Sequence, residues 1–404
     1  MSKVHHYDLV VVGGGPAGSS AAYVAAKNGI KVALIEKEET IAESVRTSGV
    51  TWIQNIKEFG IPDNCFNTIK NFSFCSPNNT VTISDTVARA AVLDVRKTYR
   101  WLAEEAKKAG ADIFVKTNVN EVIKNEENDI VGVKATNPDE KMTFLSKMII
   151  DATGFPSTVG KAMGFVKQWK RFGAGAEYEV KVEHVDSQTW WLMVGQQYSP
   201  AGYAWIFPLG NNIVRIGVGV GKPESNVDPK QRLKELIDSK IGPIKDLGNI
   251  TQIEFHYGLI PNEGVSRKTV FNNLILVGDS AGQANPLVLE GIRYAIKFGR
   301  LAGEISSNAI KNGRTDESAL NTYEEKWRKE VESKINSAVK VQNRWIGLSD
   351  EEWDRELDII KELSSEEFLD FIKAEFGLSN MVKLATHHPK LAVRQLFNLI
   401  KNKK

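Results

Sequence analysis

The sequence of 404 residues has few of the features that define several large classes of protein. It contains only two cysteines, Cys65 and Cys75, which excludes a disulfide framework and favours a reducing, cytoplasmic location. It has no run near the ~18 apolar residues that a membrane-spanning helix needs, and no apolar signal core near its start. Its net charge of +2 is too close to neutral to predict a nucleic-acid partner.

The strongest local pattern that is present lies at the beginning of the chain. Leu9–Val12 predicts a buried parallel strand, because it is a short apolar run rich in β-branched side chains. The alanine-rich segment Ser19–Asn28 predicts a crossover helix that ends at Gly29, and Lys31–Glu36 predicts a second strand that ends on an acid. This order is typical of a nucleotide-binding βαβ unit.

Three glycines between the first strand and the helix have separate predicted roles. Gly13 permits a tight turn, Gly15 lets the backbone approach a pyrophosphate, and Gly18 allows close packing of the helix on the strands. The helix N-terminus then faces the phosphates, whose negative charge is favoured by its free N–H groups. Glu36 can accept hydrogen bonds from the ribose hydroxyls. The segment therefore predicts a dinucleotide site.

Two later residues are candidates for the same site, each with a plainer alternative. Arg96 lies in the first turn of a predicted helix that Asp94 starts and Gly110 ends, either as a cofactor contact or as a solvated surface charge. Asp279 follows the buried strand Asn273–Val277, where it either accepts hydrogen bonds from cofactor hydroxyls or caps the next helix. Spacing alone leaves both alternatives open.

The middle and end of the chain differ in character. Residues 173–220 alternate with period 2 and are rich in aromatics, which predicts an antiparallel sheet with one covered face. Gly291–Gly303 predicts a helix, and from Thr315 onward the pattern is again helical. Ser349…Glu352 and Ser364…Glu367 predict two helix starts through capping boxes. One stripe at helical spacing consists of Leu320, Tyr323, Trp327, Val331, Ile335, Ala338 and Gln342.

Several segments together resemble the FAD-binding signature of the group that includes aromatic hydroxylases and geranylgeranyl reductases. They are the glycine fingerprint above, Asp94–Arg96, Asp151–Gly154 and Val277–Pro286, and the resemblance covers most of residues 7–305. Within that group, the chain resembles the geranylgeranyl reductase family through one long motif. The motif is Pro200-x-x-Tyr203-x-Trp205-x-Phe207-Pro208, followed after eight residues by Gly217-x-Gly219.

The resemblance implies an α/β fold with three parts. These are an FAD-binding, Rossmann-like lobe with three layers (ββα), an inserted antiparallel β-sheet substrate domain, and a C-terminal helical region. The implied FAD-binding domain is discontinuous and comprises residues 1–60, 90–165 and 262–312. The substrate domain comprises residues 61–89 and 166–261, and the helical region residues 313–404. The residues implied to bind FAD are Gly13, Gly15, Pro16, Ala17, Gly18, Glu36, Arg46, Arg96, Gly278, Asp279, Gly291 and Ile292.

The resemblance also implies a cavity for an isoprenoid chain beside the flavin. An isoprenoid offers only apolar carbons and isolated alkenes, so its cavity needs aromatic walls and few polar anchors. Tyr203, Trp205 and Phe207 alternate and so point to one face of a strand, although core packing would give the same pattern. The implied substrate-binding residues are Tyr203, Trp205, Phe207, Pro208 and Gly217, and the implied catalytic candidates are Tyr203 and Trp205.

One departure from the family pattern lies next to Arg46. Many members carry a Cys-Gly pair there, whereas this chain has Thr47-Ser48-Gly49. Any role of that cysteine is therefore absent, which leaves the exact isoprenoid substrate open.

The sequence favours an FAD-dependent reductase that saturates the double bonds of a geranylgeranyl chain in membrane-lipid biosynthesis. The alternatives are a flavin-dependent monooxygenase or halogenase acting on an aromatic substrate, and a non-catalytic prenyl-lipid carrier. The complete aromatic motif argues against the first alternative, and the intact glycine fingerprint argues against the second. The electron donor is either NAD(P)H or a ferredoxin. No metal site is expected, because the histidines are scattered: His184, His256, His387 and His388.

A basic tail offers the protein a peripheral contact with the membrane. In Lys383–Lys404 an apolar stripe is flanked by lysines and Arg394. Such a helix can lie at the interface of an anionic membrane, where each cation contributes about 1 kcal/mol. The same stripe can instead pack on the acidic helices before it, and the sequence supports both alternatives equally. The stripe consists of Ala392, Val393, Leu396, Phe397 and Ile400.

If the tail docks on membranes, removal of residues 390–404 will weaken binding to anionic liposomes, because the stripe and most of its flanking cations are lost. Flavin content should not change, since the implied FAD site lies elsewhere. Co-sedimentation with liposomes at low salt measures the effect. If the full-length protein does not sediment under these conditions, the stripe is a packing face.

Overall fold

The computed structural model describes residues 3–375, and the tail stripe predicted within Lys383–Lys404 lies outside them. The strands are β1 (Lys3–Val12), β2 (Val32–Ile35), β3 (Val50–Trp52), β4 (Phe66–Ile69), β5 (Asn71–Cys75), β6 (Thr80–Ser84), β7 (Ala90–Leu93), β8 (Asp112–Phe114), β9 (Asn118–Lys124), β10 (Ile130–Thr136), β11 (Lys141–Asp151), β12 (Phe172–Val182), β13 (Thr189–Val194), β14 (Gly202–Gly210), β15 (Ile213–Lys222), β16 (Ile250–Pro261), β17 (Val270–Phe271) and β18 (Leu274–Leu276). The α-helices are α1 (Pro16–Lys27), α2 (Ile53–Phe59), α3 (Val95–Lys108), α4 (Thr158–Ala162), α5 (Pro229–Asp238), α6 (Ile292–Lys311), α7 (Glu317–Ile346), α8 (Asp350–Ile360) and α9 (Ser365–Ile372).

An eight-stranded sheet carries the first part of the fold, and its parallel core has the order β18-β11-β1-β2-β8. β17 extends one edge antiparallel to β18, while β9 and β10 form a meander with β11. The last four residues of β1, Leu9–Val12, are buried and pair with β2 on one side and β11 on the other. The apolar run is therefore a central parallel strand, as its composition predicted.

The two faces of this sheet are covered by different layers. Leu9 and Val11 point to one face, where they share a buried cluster with residues of α1, α3 and α6. Val10 and Val12 point to the other face and pack with the β9–β10 meander. The alternation of side chains along a strand causes this division. The predicted three-layer ββα arrangement is thus confirmed.

A seven-stranded sheet with the order β16-β12-β15-β14-β13-β5-β6 forms the second part. Its neighbouring strands are antiparallel, except for the parallel pair β13 and β5. The antiparallel sheet predicted for residues 173–220 is confirmed, and β5, β6 and β16 extend it from outside that range. β3, β7 and β4 form a smaller, separate sheet.

The last described part of the chain is helical. The predicted capping boxes are present, because Ser349 and Ser364 cap α8 and α9 together with Glu352 and Glu367. Within residues 3–375, no helix is long and apolar enough to cross a membrane. The buried stripe of α7 is the predicted one and consists of Leu320, Tyr323, Trp327, Val331, Ile335, Ala338 and Gln342.

Two helix boundaries differ from the sequence predictions. α1 begins at Pro16 rather than at Ser19, because proline has a suitable φ and needs no N–H partner in the first helical turn. α6 continues past Gly303 to Lys311. Gly303 does not end this helix because it lies against the backbone of α1, where a Cβ would come within 2.4 Å of the Ala21 oxygen.

Candidate active site

A groove runs along the carboxyl ends of the parallel strands and encloses about 1890 Å³, counting its open part. Open α/β sheets bind dinucleotides at this edge. Of the residues implied to bind FAD, Gly18 and Arg96 lie outside the groove lining. The others line it, namely Gly13, Gly15, Pro16, Ala17, Glu36, Arg46, Gly278, Asp279, Gly291 and Ile292.

The three fingerprint glycines meet three different requirements. Gly13 has a φ of +106°, and a Cβ there would lie 2.3 Å from the carbonyl oxygen of Ala152. A Cβ on Gly18 would lie 1.9 Å from the Gly13 oxygen, so Gly18 allows α1 to approach the turn after β1. A Cβ on Gly15 would meet no atom within 4 Å, and its φ of −70° is ordinary. Gly15 is therefore needed neither for conformation nor for packing, and its bare backbone opens onto the groove.

Glu36 follows β2 at the edge of the groove. Its Oε2 accepts a hydrogen bond from the backbone N of Gly14 at 2.7 Å, and its Oε1 accepts one from Glu38 N at 2.9 Å. These bonds fix the carboxylate beside the glycine turn. Each oxygen keeps a second lone pair that can accept a hydrogen bond from a ribose hydroxyl.

Asp279 lies in the groove wall at the turn after β18. Burial alone raises the pKa of its carboxyl to about 7, and no side chain or N–H among the described residues offsets this rise. Beside it, Gly291 at the N-terminus of α6 offers no side-chain cap. The backbone N of Arg293 donates to Glu290 at 3.4 Å, whereas that of Ile292 has no partner among the described residues. The wall therefore offers an unpaired carboxyl and a free N–H group, which suit a ligand with hydroxyl donors and carbonyl or phosphate acceptors.

Arg96 is engaged with the protein in this structure. Its guanidinium forms a two-point pair with Glu254 at 2.7 and 3.1 Å and donates to the carbonyls of Ala42 and Glu43. In this arrangement it braces the loop that follows β2. Its contact with the cofactor stays a prediction.

A second cavity, of about 1220 Å³ counting its open part, adjoins the groove. One wall is a face of the seven-stranded sheet, and the others include Leu287–Leu289 and residues of α7, α8 and the end of α9. Glycine in a strand leaves bare backbone, so a ligand can lie flat against this sheet. The glycines in the wall are Gly173, Gly175, Gly202, Gly219, Gly221 and Gly258.

The aromatic motif lies on β14 with its three side chains on one face. Trp205 stacks on Phe207 with ring centroids 6.0 Å apart, and Tyr203 lies 5.7 Å from Trp205. Tyr203 and Trp205 line the large cavity, whereas Phe207 lies deeper, beside a smaller cavity that also touches Trp190. The cavity-wall and core-packing hypotheses therefore each describe part of the motif.

Gly217 and Pro208 do not line the large cavity. A Cβ on Gly217 would lie 2.1 Å from the ring of Trp205, its cross-strand neighbour, so Gly217 makes room for the indole. Pro208 is buried, and its carbonyl accepts a hydrogen bond from Asn67. Both residues therefore influence the large cavity only through the position of β14. Because β14 pairs with β15, Gly217 lies opposite Trp205, and packing of the indole explains the spacing of these two residues in the motif.

The groove and the cavity meet at a junction formed by a loop and by β16. The carbonyl of Arg46 approaches β16 at Gly258, where a Cβ would lie 2.1 Å from it. Arg215 donates to the carbonyl of Ser48 at 2.9 Å. The Thr47-Ser48 segment, where many family members carry cysteine, is thus fixed at the junction. The residues that line both spaces are Arg46, Thr47, Tyr257, Gly258 and Ile260.

Two polar residues in the cavity wall escape prediction from the sequence. Glu177 on β12 and His256 on β16 are buried and hydrogen-bonded to each other. Alternation would place Glu177 on the same face as Gly175, but local spacing does not reveal which strand pairs with β12. Among residues 3–375, no cluster of three metal-ligating side chains occurs.

Comparison with known proteins agrees with this geometry. A family model described as an FAD binding domain matches residues 6–338. The crystal structure of a geranylgeranyl bacteriochlorophyll reductase-like protein from Thermoplasma acidophilum superposes with a TM-score of 0.86 and 27% identity, covering 98% of this chain and 100% of that one. Fold and groove thus define an FAD-dependent oxidoreductase, and the free Gly15 face, the unpaired Asp279 carboxyl and the uncapped α6 fit that cofactor.

Two sequence relatives narrow the assignment. Digeranylgeranylglycerophospholipid reductase 1 of Methanococcoides burtonii is 33% identical over 381 residues, covering 92% of each chain. The digeranylgeranylglycerophospholipid reductase of Methanocaldococcus jannaschii is 35% identical over 356 residues, covering 86% of this chain and 89% of the relative. This chain belongs to the digeranylgeranylglycerophospholipid reductase family. A flavin-dependent brominase, with a TM-score of 0.69 and 18% identity, shares the fold alone.

We expect Gly15→Val to lose bound flavin while the fold persists, because the new side chain enters the groove without meeting a protein atom. Flavin absorbance of the purified protein and its far-ultraviolet circular dichroism measure the two effects. Gly18→Ala is the matched control, since its Cβ would collide with the Gly13 carbonyl and lower stability as well. Stoichiometric flavin in Gly15→Val would contradict this placement of the pyrophosphate.

We also expect the affinity for FAD to depend on pH through Asp279. The carboxyl has a raised pKa of about 7 in the flavin-free protein, and hydroxyl donors of a bound ligand would favour its ionised form. Binding would then release a proton, so affinity should be full above pH 7 and should fall as the pH drops below 7, by at most about tenfold per unit. Fluorescence titration of flavin-free protein measures this slope. Asp279→Asn should remove it, and an equal slope in both proteins would exclude Asp279 as a flavin contact.

Proposed function

We propose that this protein is an FAD-dependent reductase that saturates C=C bonds in the geranylgeranyl chain of a membrane lipid. The observation that carries the proposal is the large cavity that adjoins the FAD groove and shares residues such as Thr47 and Gly258 with it. A long, flexible, apolar substrate matches walls of aromatic rings and bare glycine backbone. The names of the relatives from Methanococcoides burtonii and Methanocaldococcus jannaschii support this class of substrate.

The reaction requires different contributions from the cofactor and from the chain. FAD, when reduced, supplies a hydride to one alkene carbon. An isolated alkene has no carbonyl group that a hydrogen-bond donor could polarise, so the protein contributes mainly orientation and exclusion of water. Trp205, Tyr203 and the glycines beside them form the wall that orients the chain next to the junction.

Two further features of the function rest on the sequence. The electron donor is either NAD(P)H or a ferredoxin. The basic tail would bring the cavity to a lipid bilayer, which is where an isoprenoid lipid resides. Both are parts of the proposal, and they are tested separately from the chemistry.

The chemistry is tested with purified protein that dithionite has reduced without air. We expect a digeranylgeranyl glycerophospholipid to reoxidise the flavin, with the saturated lipid detected by mass spectrometry. Reoxidation that needs O2 and an aromatic compound would instead establish the monooxygenase or halogenase alternative. Reoxidation by neither would leave the prenyl-lipid carrier as the function.

A variant links this activity to the cavity. Gly175→Leu should raise the KM for the lipid by about 10- to 200-fold, because the new side chain fills the bare wall beside Trp205. Gly175→Ala is the control, since its Cβ would make only an ordinary contact of 3.6 Å with the indole. Flavin content should be unchanged in both. Equal KM values in the two variants would place the lipid elsewhere.

A further inference from the structure

A buried acid and a buried histidine stand out in the largely apolar cavity wall. Glu177 and His256 are each only 3% exposed, and both line the cavity. The carboxylate of Glu177 has two close partners: its Oε1 lies 2.9 Å from Nδ1 of His256, and its Oε2 accepts a hydrogen bond from Nε1 of Trp205 at 2.8 Å. Burying a carboxylate against apolar side chains costs several kcal/mol unless it is paired.

The neighbouring Arg215 is not the main partner of the buried Glu177 carboxylate. Arg215 lies 3.6 Å from Glu177, but its charge is balanced by Glu179 at 3.2 Å. Its remaining donors hold the carbonyls of Ser48 and Leu93 at 2.9 and 3.0 Å. Arg215 therefore holds the loop at Ser48 and the end of β7 in place, and Glu179 is its counter-ion. The pairing partners that are specific to Glu177 are His256 and Trp205.

The pair is connected to the protein surface on its other side. Nε2 of His256 is buried without a well-directed hydrogen bond, and it lies 3.4 Å from Oε2 of Glu254. Glu254 is about one-third exposed and is clamped by Arg96. The guanidinium of Arg96 holds the pKa of Glu254 below its usual value despite partial burial. Polar groups therefore lead from solvent through Glu254 and His256 to Glu177 and the cavity.

The proposed reaction needs a proton at this place. When a C=C bond is saturated, its π bond is lost and two C–H bonds form. One carbon takes a hydride with its two electrons, and the other must take a proton without electrons. A lipid that fills the cavity displaces bulk water from the alkene. A side chain in the wall, or a group connected to it, can then supply the proton.

Most ionisable groups in the described part of the wall are poor proton donors. Arg46 keeps its proton at any physiological pH. Burial raises the pKa of Tyr203, and its hydroxyl already donates to the carbonyl of Val288 at 2.6 Å. Burial also raises the pKa of Tyr257. Tyr203 was a catalytic candidate from the sequence, but its proton is both held and weakly acidic.

Resting on the proposed function, we infer that the Glu177–His256 pair holds the proton that the second alkene carbon takes. The transfer forms the C–H bond, and the Glu177–His256 pair loses one proton. A solvent proton then returns through Glu254 to Nε2 of His256. The hydrogen bond from Trp205 to Glu177 also fixes the indole that forms the substrate wall, so one carboxylate positions both the proton and the alkene. In this arrangement Trp205 is a positioning residue.

The first test measures single-turnover reoxidation of the reduced protein by the lipid. His256→Gln and Glu177→Gln preserve side-chain size and polarity but cannot relay the proton, so the rate should fall by about 100-fold or more with flavin content unchanged. In His256→Gln the KM for the lipid should also change little, because the hydrogen bond from Trp205 to Glu177 remains. The matched control is His184→Gln, at an exposed histidine after β12. The wild-type rate should fall as the pH rises through the titration of the pair and should be lower in D2O. In the two Gln variants this pH dependence should disappear.

The second test needs neither flavin nor lipid. In flavin-free protein labelled with 15N-tryptophan, the indole N–H signal of Trp205, assigned with Trp205→Phe, should shift as the pair titrates. The shift should persist in His184→Gln and be lost in His256→Gln. If a Gln variant does not fold, the wild-type protein alone decides, because its Trp205 indole signal must move with pH and its rate must be lower in D2O.

Different results identify which idea has failed. If no protein is reoxidised by the lipid, the proposed function is wrong, whatever the indole signal does. If wild type is reoxidised but the Gln variants keep rates within about threefold, or the Trp205 indole signal of wild type does not move with pH, the proton relay is wrong and the function stands.

Discussion

The structure depends on a backbone-to-backbone contact between α1, α6 and the turn after β1. A Cβ at Gly299 or Gly303 of α6 would lie 2.4 Å from a carbonyl oxygen of α1, and a Cβ at Gly18 would lie 1.9 Å from the Gly13 oxygen. Side chains at these positions would separate the elements. Because the contact is close, the N-termini of both helices lie at one edge of the parallel sheet, and their free N–H groups face the same groove.

Glycines in the seven-stranded sheet have a different role. Gly217 makes room for the indole of Trp205. A Cβ at Gly175 or Gly219 would meet that ring only at ordinary distances, and these two glycines leave backbone open to the cavity. Glycine normally weakens a strand. Here the ring of Trp205 covers part of the bare backbone, and the rest of that backbone is available to a ligand. The same residue type therefore builds the FAD groove and the adjoining cavity.

The cavity is closed by a part of the chain distant in sequence. Asp354 of α8 accepts hydrogen bonds from Ser76 and Asn78, and the amide of Asn285 holds the carbonyl of Ile372 at 2.8 Å. Trp345, Trp353 and Ile372 thereby complete walls that begin on the sheet. The enclosed space exists only when the sheet and the C-terminal helices are assembled, which explains why no single segment marks it in the sequence.

The sequence by itself determined the elements whose cause is local. Apolar periodicity identified β1 and the buried stripe of α7, capping residues identified α8 and α9, and the glycine fingerprint with Glu36 indicated a dinucleotide groove that the fold provides. Tertiary structure decided which strands became neighbours. Strand alternation fixes the face of Glu177 but not its partner, and only the pairing of β12 with β16 brings His256 beside it. Tertiary structure also decided that Arg96 pairs with Glu254 and that Phe207 lies beneath the cavity wall. Such contacts depend on chain topology rather than on spacing along the chain.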